Sequence, residues 1–297
     1  RWNDTESSVF QVKSGVRQGG VLSPILFNFY VNILICSLKI SDFGCHVHDL
    51  YVGCILYADD ILLISASICM LQNMLDICFT ASQDLQLSFN CSKSQCILIG
   101  PKKTCNIRNL NLGVKELEWA TQLKYLGIVL ISGSSLSICL NTVRHKYFAA
   151  FNALNAHCKY VSEPIKLHLF ESICLPLLLY GIDGIRLSSH QIHELNVCWN
   201  NAYRKIFGYK YCESVKMLIY FMQRLNLSML YDLRRLMFVY KLSKLQHEII
   251  TELLPVYLTF DDIYDLYCAY DLTVTSAPCH IMKSVFSTFA KYATDTD

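Results

Sequence analysis

Val9, Phe10 and Val12 around Gln11 predict a short strand, and a glycine-rich stretch from Gly15 to Gly20 interrupts the run. Ser23-Pro24 then predicts a helix start, because serine is a favoured N-cap and proline suits the first helical position. Ile25, Leu26, Phe29, Ile33 and Leu34 recur at helical spacing to about Leu38, which predicts an amphipathic helix with that face turned inward. Two short apolar runs, 51–56 and 61–65, flank Tyr57-Ala58-Asp59-Asp60 and predict a hairpin with acidic residues at its tip and strands covered on both faces. Helical spacing returns near 71–85, 95–99 predicts a further strand, and 117–119 with 124–130 predicts a strand pair.

Ser132-Gly133-Ser134-Ser135 predicts a linker. Beyond it helical spacing predicts helices over about 136–160, 164–180, 189–207 and 226–244, the last capped by Asn226. The final stretch is only weakly patterned. These elements imply an α+β fold in three parts: a mixed segment over 1–131, a helical region over 136–247 and a tail over 248–297.

Composition sharpens this outline. With 297 residues, 53% of them hydrophobic and only 17% charged, the chain has enough apolar surface for one or two real cores, and disorder is excluded as its main state. The fifteen cysteines include no C-x-x-C pair and no regular interval, so reduced thiols used as small hydrophobes fit better than a disulfide framework or zinc ribbon. His190, His193 and Cys198 lie close on one helix, but Cys198 falls off the face of the two histidines and no fourth ligand is evident. Trp119 and Trp199 read as core residues. Neither a start methionine nor a signal-peptide core precedes the polar opening at Arg1, so the chain is expected to begin inside a longer protein and to be nuclear or cytoplasmic, not secreted. The uncharged stretch 19–38 is long enough to span a bilayer, but its glycine pair, Pro24, Asn28 and Asn32 favour a buried helix after a turn, and no membrane partner is expected.

Charge is unevenly spread. Lys and Arg balance Asp and Glu at ten each over 1–135, outnumber them fourteen to six over 136–247, and fall to two against eight in 248–297. The basic middle suits a polyanionic partner, with a set of solvated helix faces as the ordinary alternative.

Two pieces carry candidate chemistry. Adjacent carboxylates such as Asp59-Asp60 are often plain turn formers. On an apolar hairpin, however, they need a cation or hydrogen-bond donors, and hard oxygen ligands suit Mg²⁺. Upstream, Gly15-Val16-Arg17-Gln18-Gly19-Gly20 would let a backbone pass close to a bulky ligand, and Gln18 can both donate to and accept from a base or sugar edge. An ordinary strand-to-helix turn would have the same composition.

Taken in order, Gly15 to Asn28, then Tyr57-Ala58-Asp59-Asp60, then Leu85 to Lys93, then Leu123-Lys124-Tyr125-Leu126-Gly127, the chain resembles the motif series B, C, D and E of reverse transcriptases. The Gly-Val-Arg-Gln-Gly form is similar to non-LTR (LINE-like) retrotransposon enzymes, with Arg17 marking the subgroup. Leu179-Tyr180-Gly181 and Tyr203-Arg204-Lys205-Ile206-Phe207-Gly208 look like retrotransposon sequence beyond the palm. The resemblance implies a partial polymerase palm, a ferredoxin-like sheet with helices, over 1–131, followed by an all-α thumb-like region. It implies RNA-directed DNA polymerisation by two-metal nucleotidyl transfer, with Mg²⁺ (or Mn²⁺), an RNA template, a DNA primer and deoxynucleoside triphosphates.

Under that resemblance Asp59 is the metal-binding carboxylate and Asp60 its neighbour near the primer end, beside Tyr57 and Ala58. Arg17, Gln18, Gly19 and Gly20 face template and incoming nucleotide. Lys93 is the motif D lysine that would protonate the departing pyrophosphate, with a surface lysine as its plain alternative. Lys124, Tyr125, Leu126 and Gly127 form the primer grip. The motif A aspartate would lie on a strand before motif B, but only 1–11 precede it here, and Asp4 sits too close to Gly15 to serve. The N-terminal portion of palm and fingers is therefore expected to be missing, the chain alone to be inactive, and its open sheet to favour association. A non-catalytic nucleic-acid-binding remnant is the alternative.

Overall fold

Tight turns with left-handed residues at His48, Ala58 and Gly113 punctuate short strands in the first part of the chain, and long apolar stripes drive helix packing in the rest. The computed structural model describes residues 5, 6, 8, 15–100 and 108–294. The strand expected over 9–12, and Asp4, lie outside the described residues. The chain divides into two units, one of 1–96 with 104–119 and one of 97–103 with 120–297. Mixed helix and small sheet agrees with the expected α+β class.

In the first unit, helix α1 (Ser23–Ser41) is followed by strands β1 (His46–Val47), β2 (Leu50–Tyr51), β3 (Cys54–Tyr57) and β4 (Asp60–Leu63), helix α2 (Ile68–Asp84), and strands β5 (Leu110–Leu112) and β6 (Lys115–Leu117). The strands form three separate antiparallel pairs, β1–β2, β3–β4 and β5–β6. Val31, Leu34 and Leu38 of α1 interlock with Met74 and Cys78 of α2, and Leu56, Ile61 and Leu63 of the hairpin pack on the same core. The Tyr30 hydroxyl donates to the Leu85 carbonyl at 2.5 Å, tying α1 to the end of α2.

The inward face expected for α1 is therefore corrected. Of its five residues only Leu34 is buried; Ile25, Leu26 and Ile33 are more than half exposed and Phe29 is 75% exposed. The core takes the Val31–Leu34–Leu38 line instead and leaves the neighbouring apolar stripe uncovered, so α1 is not a buried helix. It is long and apolar enough to cross a membrane by length and composition. Ser23 is not the N-cap either: Leu22 occupies that position, and the Ser23 hydroxyl donates to the Arg17 carbonyl at 2.5 Å.

Two strand expectations are also corrected. Instead of a strand over 95–99 there are isolated bridges, Cys96 to Trp119 and Ile99 to Gly133. The run near 117–119 pairs backwards with β5, because Gly113 at φ 63° makes the turn between them.

The second unit opens with β7 (Gln122–Tyr125), β8 (Ile128–Ile131) and β9 (Ser137–Ile138), one three-stranded antiparallel sheet. The stretch 124–130 is thus a hairpin, not one strand, and Ser132 to Ser135 closes a second hairpin in place of a linker. Helices follow: α3 (Asn141–His157), α4 (Glu163–Leu178), α5 (Ser189–Phe207), α6 (Lys216–Phe221), α7 (Leu227–Ser243), α8 (Glu248–Leu258), α9 (Asp261–Ala269) and α10 (Pro278–Thr294). Tyr147, Phe151, Phe170, Trp199 and Tyr203 form an aromatic centre, with Phe170 and Trp199 ring centroids 5.5 Å apart.

Far from trailing loosely, the last fifty residues build three helices that complete this core through Ile263, Tyr267, Ile281, Val285 and Phe289. Asp262 takes the guanidinium of Arg235 at 2.6 Å, which lets that arginine sit at 6% exposure. Among the described residues fourteen cysteines are free. Trp199 is buried and Trp119 half-buried, as expected of core residues.

Candidate functional site

The acidic hairpin is built by register. Cys54 pairs with Leu63, Ile55 with Leu62, Leu56 with Ile61 and Tyr57 with Asp60, which leaves Ala58-Asp59 as a two-residue turn. Cys54, Leu56, Ile61 and Leu63 pack inward, so alternation puts Ile55, Tyr57, Asp60 and Leu62 on the outer face. Ala58 holds φ 53°, a left-handed conformation that costs a residue with a Cβ about 1–2 kcal/mol. Packing beneath the tip overrides that penalty. The expected burial on both faces is not found: Tyr57 is 62% exposed, Ile55 45%, and both aspartates face solvent. Among the described residues no third strand pairs with this hairpin.

At the end of the hairpin away from the tip, where Cys54 pairs with Leu63, burial pushes the Cys78 thiol up to about 12, that of Cys54 up to about 11 and the Tyr51 hydroxyl up to about 12. Two exposed carboxylates at a hairpin tip are hard oxygen donors suited to a divalent cation that keeps waters and phosphate oxygens as its other ligands. Among the described residues no third His, Cys, Asp or Glu joins them in a metal-sized cluster. The donor chemistry fits the cation; the donor count is partial.

The glycine turn is local and tight. Gly20 N–H donates to the Arg17 carbonyl at 3.1 Å, and Gly19 at φ 80° occupies the position of the turn that demands a positive φ. At Gly20 a Cβ would come within 2.6 Å of the Ser23 hydroxyl, so the turn closes onto the first residue of α1. Arg17 and Gln18 are exposed at its crest. The turn leads directly into α1, and α1 shares one core with the acidic hairpin. Lys93, exposed, sits in a turn anchored by Asn90, whose carbonyl accepts from Lys93 N–H at 3.0 Å.

Lys124 to Gly127 belongs to the other unit. Leu126 at φ 45° and Gly127 at φ 85° make the two-residue turn between β7 and β8, with Lys124 exposed and Tyr125 half-buried beside it. Tyr180, which follows α4, donates its hydroxyl to the Leu126 carbonyl at 2.8 Å, and a Cβ at Gly127 would lie 3.2 Å from the Tyr180 ring. Gly181, at φ 72°, lies against Ile128 so closely that a Cβ would come within 2.5 Å of its Cδ1. The Leu179-Tyr180-Gly181 triplet therefore braces the 124–127 turn, a link that sequence spacing cannot reveal across 54 positions. His190 and His193 are exposed while Cys198 is buried, and Tyr147 donates to the Cys198 carbonyl at 2.9 Å. Those three residues form no metal site.

Residues 1–130 match the family model described as reverse transcriptase (RNA-dependent DNA polymerase). The matched part of the chain is thus similar to reverse transcriptases, in agreement with the motif series.

Among relatives, a retrovirus-related Pol polyprotein from a type-2 retrotransposable element of Drosophila melanogaster is 31% identical over 137 residues, 43% of this chain and 12% of that protein. An RNA-directed DNA polymerase from mobile element jockey of Drosophila melanogaster is 23% identical over 214 residues, 68% of this chain and 23% of that protein. Its counterpart in Drosophila funebris is 24% identical over 212 residues, again 68% and 23%. The chain thus covers less than a quarter of the length of each of these relatives.

Proposed function

We propose that residues 1–131 are the later portion of a polymerase palm, that 136–247 act as a basic thumb-like region, and that together they serve RNA-directed DNA synthesis. The observation that carries this reading is the Asp59-Asp60 pair on a strained two-residue turn, rooted in the same core as the helix that follows the Arg17 to Gly20 turn. A bound Mg²⁺ or Mn²⁺ would supply charge stabilisation to the attacking 3′-hydroxyl and the leaving oxygens. Asp59 and Asp60 would hold it through carboxylate oxygens, with Tyr57 and Ala58 beside the primer terminus. Arg17 and Gln18 would contact template and incoming nucleotide across a backbone kept slim by Gly19 and Gly20. Lys93, exposed, would donate a proton to departing pyrophosphate. Lys124 to Gly127 would steady the primer, and Lys and Arg of the helical region would follow phosphates without reading sequence.

With two carboxylates where the chemistry calls for a third, these 297 residues alone are expected to be inactive. Primer extension on an RNA template tests both claims. The chain alone should not extend. A fusion that adds a preceding aspartate-bearing strand from the jockey polymerase should extend, and should lose that activity on Asp59→Asn. A fusion whose activity survives Asp59→Asn would overturn the site assignment, and extension by the unfused chain would overturn the claim of inactivity.

A further inference from the structure

The apolar stripe that α1 leaves uncovered is ordered as a helix-pairing seam. Leu22 at the N-cap, Leu26, Phe29, Ile33, Cys36 and Ile40 follow one another at intervals of 4, 3, 4, 3 and 4, the heptad spacing that keeps one line of side chains facing a second helix. All six are exposed, with Leu22 at 64%, Phe29 at 75% and Ile40 at 84%, and Ile25 flanks the line at 52%. The core of the first unit takes Val31, Leu34 and Leu38 instead, so seam and core use different faces of the same helix. Packed on a partner, these side chains would remove roughly 600–700 Å² per copy from solvent, against about 600 Å² per partner at the lower end of stable specific interfaces.

The order of the seam and its lack of charge select what fits it. Its intervals read the same in both directions, so a second α1 laid antiparallel meets the first in register: Leu22 against the second copy's Ile40, Leu26 against its Cys36 and Phe29 against its Ile33. Large then faces small at Leu26 and Cys36, whereas a parallel pair would stack Phe29 on Phe29 and leave a gap between two cysteines. Ser23, Tyr30, Asn32 and Ser37 flank the seam, and Lys39 is the only charged residue in α1. Antiparallel packing keeps the two Lys39 ammonium groups at opposite ends. It also brings the Asp42 carboxylate, 3.0 Å from its own His46 and 82% exposed, to the N-terminus of the second α1, where the helix dipole favours an anion and the first turn holds no acid. A lipid surface would call for a polar face rich in lysine and arginine, which α1 lacks, and an unrelated helix would match the reversed spacing only by chance.

We propose that two copies of the chain pair through antiparallel α1 helices in a two-fold dimer. Such an interface closes on itself, so association stops at two chains. Sedimentation equilibrium of the full chain in reducing buffer should give twice the 34.0 kDa of one chain. Phe29→Glu sets a carboxylate against each Ile33 layer at the middle of the seam and should weaken the dimer at least about 100-fold. Phe29 is exposed, so circular dichroism should be unchanged, and Val114→Glu, at an apolar side chain 100% exposed elsewhere in the first unit, should leave the dimer intact. Orientation is read with Leu26→Cys. Copper phenanthroline, taking two electrons and two protons from a pair of thiols, should join position 26 of one copy to Cys36 of the other, detected as a cross-linked peptide by mass spectrometry. Within one helix that link is out of reach, since ten residues rise about 15 Å. A monomer at about 100 μM, well above the micromolar dissociation constants of weak interfaces of this kind, would overturn the proposal. So would oligomers growing past two chains, an equal loss with Val114→Glu, or a link between two Cys36 thiols in place of the 26-to-36 link. Flotation of a monomeric chain with phosphatidylcholine–phosphatidylserine vesicles, abolished by Phe29→Glu, would assign the seam to lipid and overturn it as well.

Discussion

Gly181→Ala puts the brace between the Leu179-Tyr180-Gly181 triplet and the 124–127 turn to the test. Two penalties act on the new Cβ. The backbone at φ 72° is left-handed, which costs an alanine about 1–2 kcal/mol. The Cβ would also stand 2.5 Å from Ile128 Cδ1 and 3.0 Å from its Cγ1, and overpacking of this kind costs roughly 1–3 kcal/mol. Together they amount to about 2–5 kcal/mol, enough to lower a urea midpoint by about 1 M at a slope near 3 kcal/mol/M. Fluorescence of Trp199, buried at the centre of the same unit, reports the transition. Ile128→Val removes the Cδ1 methyl that meets the Cβ most closely, so the double variant should recover the larger share of the steric part and keep the backbone part. Its coupling energy should be at least about 1 kcal/mol in the rescuing direction. A loss below about 0.5 kcal/mol, or strict additivity of the two substitutions, would refute the contact and the brace with it.

Other consequences are simpler to measure. Asp262→Asn leaves Arg235 buried with its charge uncompensated and should destabilise the chain by about 3–5 kcal/mol in chemical denaturation, whereas Arg235→Met in the same background should recover part of the loss. Exposed Cys36, Cys69, Cys212, Cys268 and Cys279 should react with a thiol reagent at pH 8 well before Cys78, Cys174 and Cys198, as read by mass spectrometry of timed samples. Because burial raises Cys78 to about 12 and Cys174 to about 11, the unfolded chain loses those protons first. Their contribution is fully present below pH 9 and is lost as pH rises toward the folded values, by about 1.4 kcal/mol per pH unit for each thiol, and a stability rising above pH 9 would contradict it. The uncovered stripe of Ile25, Leu26, Phe29 and Ile33 should make the chain associate; elution as a clean monomer at high concentration would count against this, and Phe29→Lys should reduce association.

Helices with local punctuation were legible from sequence. α5 runs over the expected 189–207 because Ser188 and Gln191 form a reciprocal capping box and Gly208 closes it at φ 70°. Asn226 caps α7 by accepting from Met229 N–H at 2.8 Å. The acidic tip was equally plain, since Tyr57-Ala58-Asp59-Asp60 sits between two apolar runs. Strand pairing was not, because it hangs on turns at Gly113 and Leu126-Gly127 that composition alone does not single out. Reading net charge in the tail hid α10, whose Ile281, Val285, Phe289 and Ala293 stripe is regular. The α1 face was misread because every side of that helix is rich in apolar residues, so periodicity had little contrast to report. Tyr180 is legible only in three dimensions, where its hydroxyl meets a carbonyl far back in the chain.

The metal site itself is best tested by Mn²⁺ binding to the full chain in the presence of primer and RNA template, read as the loss of the free-ion signal in electron paramagnetic resonance. Saturable uptake by the parent that falls steeply in Asp59→Asn, with the nucleic acid still bound, is the expected result. Uptake undiminished by Asp59→Asn would mean that the hairpin tip is an ordinary turn.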